Sequence, residues 1–357
     1  MIFLFIIYFF IAIILTFYAS EKRQKVMLIF TVCTLTYMIG MRDNWPDEMV
    51  YTGAFERAPY PWDFKADTEP WGYAEKGYLF IASLIKMIFN SQRFYLFAMG
   101  GISMFLLYKN LTKYCVLPLI GLADYIARFL LNRDFIQMRS SLAILMIVLS
   151  MNLIKKKKMW LYFLVIFVAY QFHHMALIGL PFYFFAQIKF NHKWIYLSVP
   201  IIMLLSALSA GSIAETVNSY SVDLRYETYV TQEYESSIGL KNPMIWFQII
   251  VLYAFTFFEE HIRKESKYYY IIRTGYLYST LILIFFNQYT ALSGRTSTMF
   301  ATYEMFLFPL LVKAFYGKTQ KAVTIIIGAG LVYFFSSKYH EARETMNGPQ
   351  VLIEVQK

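Results

Sequence analysis

Three arginines, Arg133, Arg139 and Arg295, stand in short polar breaks between long apolar segments. A guanidinium keeps its charge at any physiological pH and presents five N–H donors in a planar fork, which suits phosphate or pyrophosphate oxygens. Arg139 falls in the first turn of a helix that starts near Gln137. A cation there opposes the helix dipole, at a cost of a few tenths to about 1 kcal/mol. A bound anion would offset that cost, since exposed N–H groups and a guanidinium together favour phosphate. The competing readings are an arginine reaching lipid head groups, or Arg133 paired with Asp134. Arg295 follows Ser293-Gly294 and precedes Thr296-Ser297-Thr298, small and hydroxylic residues that permit close approach to an oxyanion.

The pair His173-His174 lies between Tyr170-Gln171-Phe172 and Met175-Ala176-Leu177. An imidazole there can serve as base, hydrogen-bond donor, metal ligand or structural cap. No H-x-x-x-H, D-x-D or paired cysteines accompany it, and Glu233-Tyr234-Glu235 is weak support, so no metal and no other cofactor is expected. The run Arg42-Asp43-Asn44-Trp45-Pro46-Asp47-Glu48-Met49-Val50-Tyr51 joins a cation, three carboxylates and two aromatic rings. Rings stack on sugar faces and carboxylates accept from hydroxyls, so Trp45, Glu75, His174 and Tyr226 are candidate sugar contacts. Asp47, Glu48 or His173 is the candidate base or acceptor-orienting group. The plainer reading is a solvated acidic loop with Trp45 in an interfacial aromatic belt.

The elements that carry these residues are membrane helices. Of 357 residues, 58% are hydrophobic and only 16% charged, a departure from soluble composition that marks an all-α polytopic integral membrane protein. The net charge of +10 sits in clusters beside apolar runs, such as Lys155 to Lys158, which is the pattern of cytoplasmic loops and anionic lipid rather than of nucleic acid. About twelve spans are expected, near 2–19, 26–41, 94–108, 115–131, 140–154, 159–172, 175–187, 194–209, 243–258, 268–286, 298–316 and 322–335. They form one transmembrane domain over 1–357, with a first outer loop at 42–93 and a second large one at 210–242. Residues 2–18 lack a basic n-region and read as a retained first helix. If Tyr78 to Phe89 lies in the outer interface instead of crossing, every strong basic cluster is cytoplasmic and the arginines, histidines and acidic loops share the outer face. Cys33 and Cys115 are expected to be buried free thiols.

Taken together, Arg42…Asp47…Tyr51, Glu75 before an amphipathic helix, Arg139-Ser140-Ser141-Leu142-Ala143-Ile144, His173-x-x-Ala-Leu-Ile-x-Leu-Pro181, and Arg295 ahead of Phe308-Pro309 resemble the EpsG-like family of membrane polysaccharide polymerases, related in role to Wzy-type O-antigen polymerases. Ser140 stands where the family usually carries Gln, and Met175 where a small hydroxyl residue is common. The resemblance implies a GT-C-like glycosyltransferase at the outer face of a bacterial inner membrane. Its partners would be membrane lipids, an undecaprenyl-pyrophosphate-linked oligosaccharide and a chain-length regulator. On that footing Arg139 and Arg295 are assigned to the pyrophosphate, with Arg133 and Arg42 as weaker partners. A ligase moving finished glycan, or a flippase for the same lipid-linked sugar, are the alternatives; a flippase would place charge in a midplane cavity between repeated halves, and no repeat is evident.

Overall fold

The computed structural model describes residues 1–65, 68, 75–208 and 239–347, and among these no β-strand is formed. The helices in chain order are α1 (Ile2–Tyr18), α2 (Glu21–Gly40), α3 (Glu48–Arg57), α4 (Lys76–Ile88), α5 (Gln92–Tyr114) and α6 (Pro118–Tyr125), which runs on as a π-helical segment (Ile126–Ile136). Then come α7 (Met138–Leu149), α8 (Met151–Lys155), α9 (Met159–Tyr170), a 3-10 turn (His174–Ile178), α10 (Gly179–Phe185) and α11 (His192–Leu208). The set closes with α12 (Pro243–Phe257), α13 (Glu259–Ile262), α14 (Tyr269–Phe285), α15 (Thr290–Ala301), α16 (Glu304–Lys313) and α17 (Gly317–Asn347).

Three stretches, Gln92–Tyr114, Met138–Lys155 and Gly317–Glu344, are long and apolar enough to cross a bilayer, and five shorter helices are also apolar. The outward faces carry Phe3, Phe10, Phe30, Trp160, Phe167, Leu204 and Ile326, all exposed. Water does not solvate so much contiguous apolar surface, and a bilayer does. The protein is an all-helical membrane protein. The apolar segments expected from the sequence all fall on helix, but 140–154 is divided between α7 and α8, 298–316 between α15 and α16 around Thr302 and Tyr303, and 94–108 and 322–335 are outrun by α5 and α17. The segment expected at the interface is α4, which buries Tyr78, Leu79, Ala82 and Ile85 on one face and exposes Phe80, Met87 and Ile88 on the other.

Close helix approach depends on small residues, as expected where lipid gives no hydrophobic drive to associate. A Cβ on Gly100 would stand 2.8 Å from Ile39 Cγ2, which holds α5 against α2. One on Gly328 would stand 1.7 Å from the Phe9 ring, so α17 lies directly on α1 and joins the two ends of the helical bundle. At the end of the bundle where α11 and α14 begin, Glu259 accepts from Tyr270 at 3.0 Å, bonds His192 at 2.6 Å and pairs with Arg273. That face therefore carries a built ion network as well as basic clusters, which the sequence did not announce. Cys33 is exposed on α2 rather than buried, and Cys115 is half-buried; both are free.

Candidate functional site

The π-helical segment is the structural centre of the site. Its last bond is Gln137 N–H to Asn132 O at 3.0 Å, an i to i−5 pairing that widens the turn and sends neighbouring side chains in different directions. Asp134 turns inward, where Ser141 Oγ (2.7 Å), Tyr125 OH (2.8 Å) and Ser103 Oγ donate to its carboxylate. Three hydroxyl donors satisfy a buried carboxylate without using a cation. Arg133 therefore does not pair with Asp134. It donates to Thr302 Oγ1 at 2.5 Å and to the Thr298 carbonyl, with its guanidinium 4.3 Å from the centre of the Phe129 ring.

Two bonds use part of the five-donor fork, and Arg133 also faces a cavity of about 600 Å³. Arg128, Arg295 and Lys338 line the same cavity, together with Asn132, Gln137, Ser297 and Thr298. Arg295 is not in a loop break, as the sequence implied; it stands on α15, which continues unbroken through Ser293 to Thr298. Gly294 beside it meets no atom within 4 Å, so that part of the helix is open to the cavity. Arg128 was not singled out from the sequence, although a single arginine inside an apolar run is itself a functional signal. It is fixed by Glu304, at 2.8 Å, and by the rings of Phe334 and Phe247 at 4.7 and 4.9 Å. Lys338, also missed, pairs with Glu341 at 2.5 Å.

A second cluster forms where α4 meets the α9–α10 connection. Gly77 lets the two backbones touch: an added Cβ would be 2.7 Å from the Gln171 carbonyl, and Tyr78 N–H donates to that carbonyl at 3.2 Å. This contact sets Glu75 beside the histidines. Glu75 Oε2 pairs with Arg139, while Oε1 is 3.4 Å from His173 Nδ1 and accepts from the His174 N–H at 3.4 Å. Arg139, in the first turn of α7 as expected, thus has a protein carboxylate as its counter-ion, and Tyr51 accepts from it as well. The His174 ring stacks on Tyr170 at 4.8 Å.

The charges set protonation. Burial alone would raise the Glu75 carboxyl, but the His173 hydrogen bond and the Arg139 charge outweigh it and hold Glu75 below its ordinary value of 4.5. Burial lowers His173 below 6.5; Glu75 pulls it back up, and Arg139 and Arg295 push it down again. At neutral pH the pair is therefore a carboxylate and a neutral imidazole. Nδ1–H then faces Glu75, which leaves the Nε2 lone pair available to accept a proton. Arg295 is common to both parts of the site, lining the cavity and acting electrostatically on His173.

The remaining candidates are spread around this centre. Arg42 is buried and donates to Asp134 O at 2.7 Å and to Met138 Sδ at 3.1 Å, tying the end of α2 to the start of α7. Glu48 accepts from the Trp45 N–H at 3.1 Å and lies 3.8 Å from Arg42 Nε. Trp45 packs on Phe135 at 4.6 Å between ring centres. Asp47 is half-buried ahead of α3, with a left-handed φ of 62°. Tyr226 and most of the 210–242 loop lie outside the described residues.

The chain that carries this cavity and these paired residues also matches known proteins in sequence. The model of the EpsG family matches residues 25–348. The chain belongs to the EpsG family. That match covers α2 to α17 and so includes every charged residue of the site. Among curated proteins, the chain is similar to the amylovoran biosynthesis protein AmsC of Erwinia amylovora, 23% identical over 329 residues, which covers 82% of each chain. No solved structure matches this EpsG family member.

Proposed function

We propose that this protein is a polysaccharide polymerase that joins undecaprenyl-pyrophosphate-linked repeat units at the outer face of a bacterial inner membrane. One observation carries the reading: a cation-lined cavity of about 600 Å³ shares Arg295 with a carboxylate-supported neutral histidine. Such a pairing serves a reaction that stabilises an anionic leaving group and accepts a proton nearby. A hydroxyl at the non-reducing end of the acceptor attacks the anomeric carbon of the donor. The new glycosidic C–O bond forms as the bond to pyrophosphate breaks, and undecaprenyl pyrophosphate leaves with both electrons. The hydroxyl proton passes to His173 Nε2.

Arg133 and Arg295 hold the pyrophosphate on this reading, with Arg128 fixed beneath it. Arg139 acts through Glu75, by keeping that carboxylate ionised and aimed at His173. Trp45 and Tyr51 stand on the acceptor side. The family membership and the role in amylovoran biosynthesis named for AmsC support the choice of reaction. The outer face is supported by the distribution of basic clusters. In a strain lacking the chain, Arg295→Gln or Arg133→Gln should abolish long polysaccharide at normal protein level, and full-length ladders from both would overturn the assignment. Single-repeat product in the deletion strain indicates a polymerase; complete absence of attached glycan indicates a ligase of the same site.

A further inference from the structure

We propose that the groove between α1 and α2 holds the polyprenyl tail of the lipid whose anionic head occupies the arginine cavity; this rests on the pyrophosphate reading of that cavity. The groove has a volume of about 200 Å³ and runs along both helices, with Met1 and Met38 near one end and Ile11 and Met27 near the other. Ten residues of helix give it a length of roughly 15 Å. Its walls are almost wholly apolar. The three hydroxyls that line it are already committed: Tyr8 donates to Leu119 O at 3.0 Å, Thr31 to Met27 O at 2.9 Å and Thr34 to Phe30 O at 3.0 Å.

Position decides the occupant. Groove and cavity share two walls. Leu130 lines the groove and Arg133 the cavity, both from the π-helical segment, while Phe335 and Lys338 do the same from α17. Lys338 lies about 4.5 Å of helix rise beyond Phe335, toward the end where Met1 and Met38 stand. Arg133 and Lys338 thus stand at the mouth of the groove, and its apolar length runs away from them, along the helices. An amphiphile with a pyrophosphate head and a long isoprenoid chain matches that order of charge and hydrocarbon. A zwitterionic bilayer lipid has no comparable claim on three arginines.

The test is photolabelling of the full chain in nanodiscs of phosphatidylethanolamine and phosphatidylglycerol, with a diazirine-bearing farnesyl pyrophosphate as probe. Adducts mapped by mass spectrometry should fall on 1–11 and 27–38. Excess inorganic pyrophosphate, or Arg295→Gln, should reduce them about tenfold, or about 1.4 kcal/mol. Thr34→Trp, which fills the groove, should remove the adducts and leave inorganic pyrophosphate binding unchanged. Adducts spread over other lipid-facing helices such as α9 would overturn the proposal, as would groove adducts that neither pyrophosphate nor Arg295→Gln affects, since bilayer lipid then occupies it. Elongation is assayed on the same samples. Elongating protein labelled elsewhere overturns the groove alone, and groove labelling on protein that cannot elongate overturns the polymerase reading alone.

Discussion

Glu75 and Arg139 should move the pH dependence of the reaction in opposite directions. On the proposed reading the neutral His173 accepts the proton, so activity falls on the acid side as His173 becomes protonated, with a midpoint below the ordinary 6.5. Glu75 Oε1 stands 3.4 Å from His173 Nδ1 and favours the protonated ring; Arg139 disfavours it. A hydrogen bond to a charged group contributes about 1.5–3 kcal/mol. At about 1.36 kcal/mol per pH unit, Glu75→Gln should lower the acid midpoint by roughly one to two units. Arg139→Gln, with Glu75 kept, should raise it. Both should also slow the reaction, up to the roughly 10²- to 10⁴-fold that a general base contributes, because a misaligned imidazole loses the proton path. The assay is elongation of purified lipid-linked repeat by purified protein between pH 5 and 8, with initial rates plotted against pH. Midpoints that stay in place, or that move together, would refute the dyad. Stability follows the same sign: both folded values are depressed, so the native state is favoured above pH 6.5 and loses that contribution as acid protonates first His173 and then Glu75.

Three further outcomes follow from close contacts. Gly77→Ala puts a Cβ against the Gln171 carbonyl, so it should cut the elongation rate of the folded protein at least about tenfold by separating Glu75 from His173, and lower thermal stability as well. A wild-type rate would show that the Glu75–His173 contact is dispensable. At Gly294, where space is open, Gly294→Ala should behave as wild type while Gly294→Phe should block pyrophosphate binding, measured by titration. Gly328→Ala should destabilise the protein by about 1–3 kcal/mol in a detergent thermal-unfolding assay, and Phe9→Leu in the same chain should restore much of it.

The helical frame was legible because apolar runs bounded by lysine clusters translate almost directly into helix ends; α1, α9 and α11 fall within two residues of the segments read from sequence. The local chemistry was legible in part. Arg139 was placed in the first turn of its helix, but its counter-ion Glu75 is 64 residues away, beyond the reach of any local pattern. The Asn287–Arg295 stretch looked like a break because small polar residues are poor helix formers, yet packing against α14 keeps it helical from Thr290 onward. Arg133 and Asp134 looked like partners since they are adjacent, whereas adjacent residues on a helix point apart. The π-helical pitch has no residue signature at all. Arg128 was readable and was passed over: a charge four residues beyond Asp124 in an apolar run already asks for a buried partner.

On the proposed polymerase reading, the meeting of Gly77 with Gln171 gives the reaction a safeguard. The carboxylate that supports the base and the base itself come from segments almost a hundred residues apart, held together through a backbone contact at the start of α4. A site that activates a hydroxyl next to a labile pyrophosphate linkage is exposed to wasteful transfer to water. When base alignment depends on a contact made by two segments far apart in sequence, proton removal can be linked to acceptor arrival. The donor is then spared between encounters, and a growing chain loses no carrier to hydrolysis while it waits.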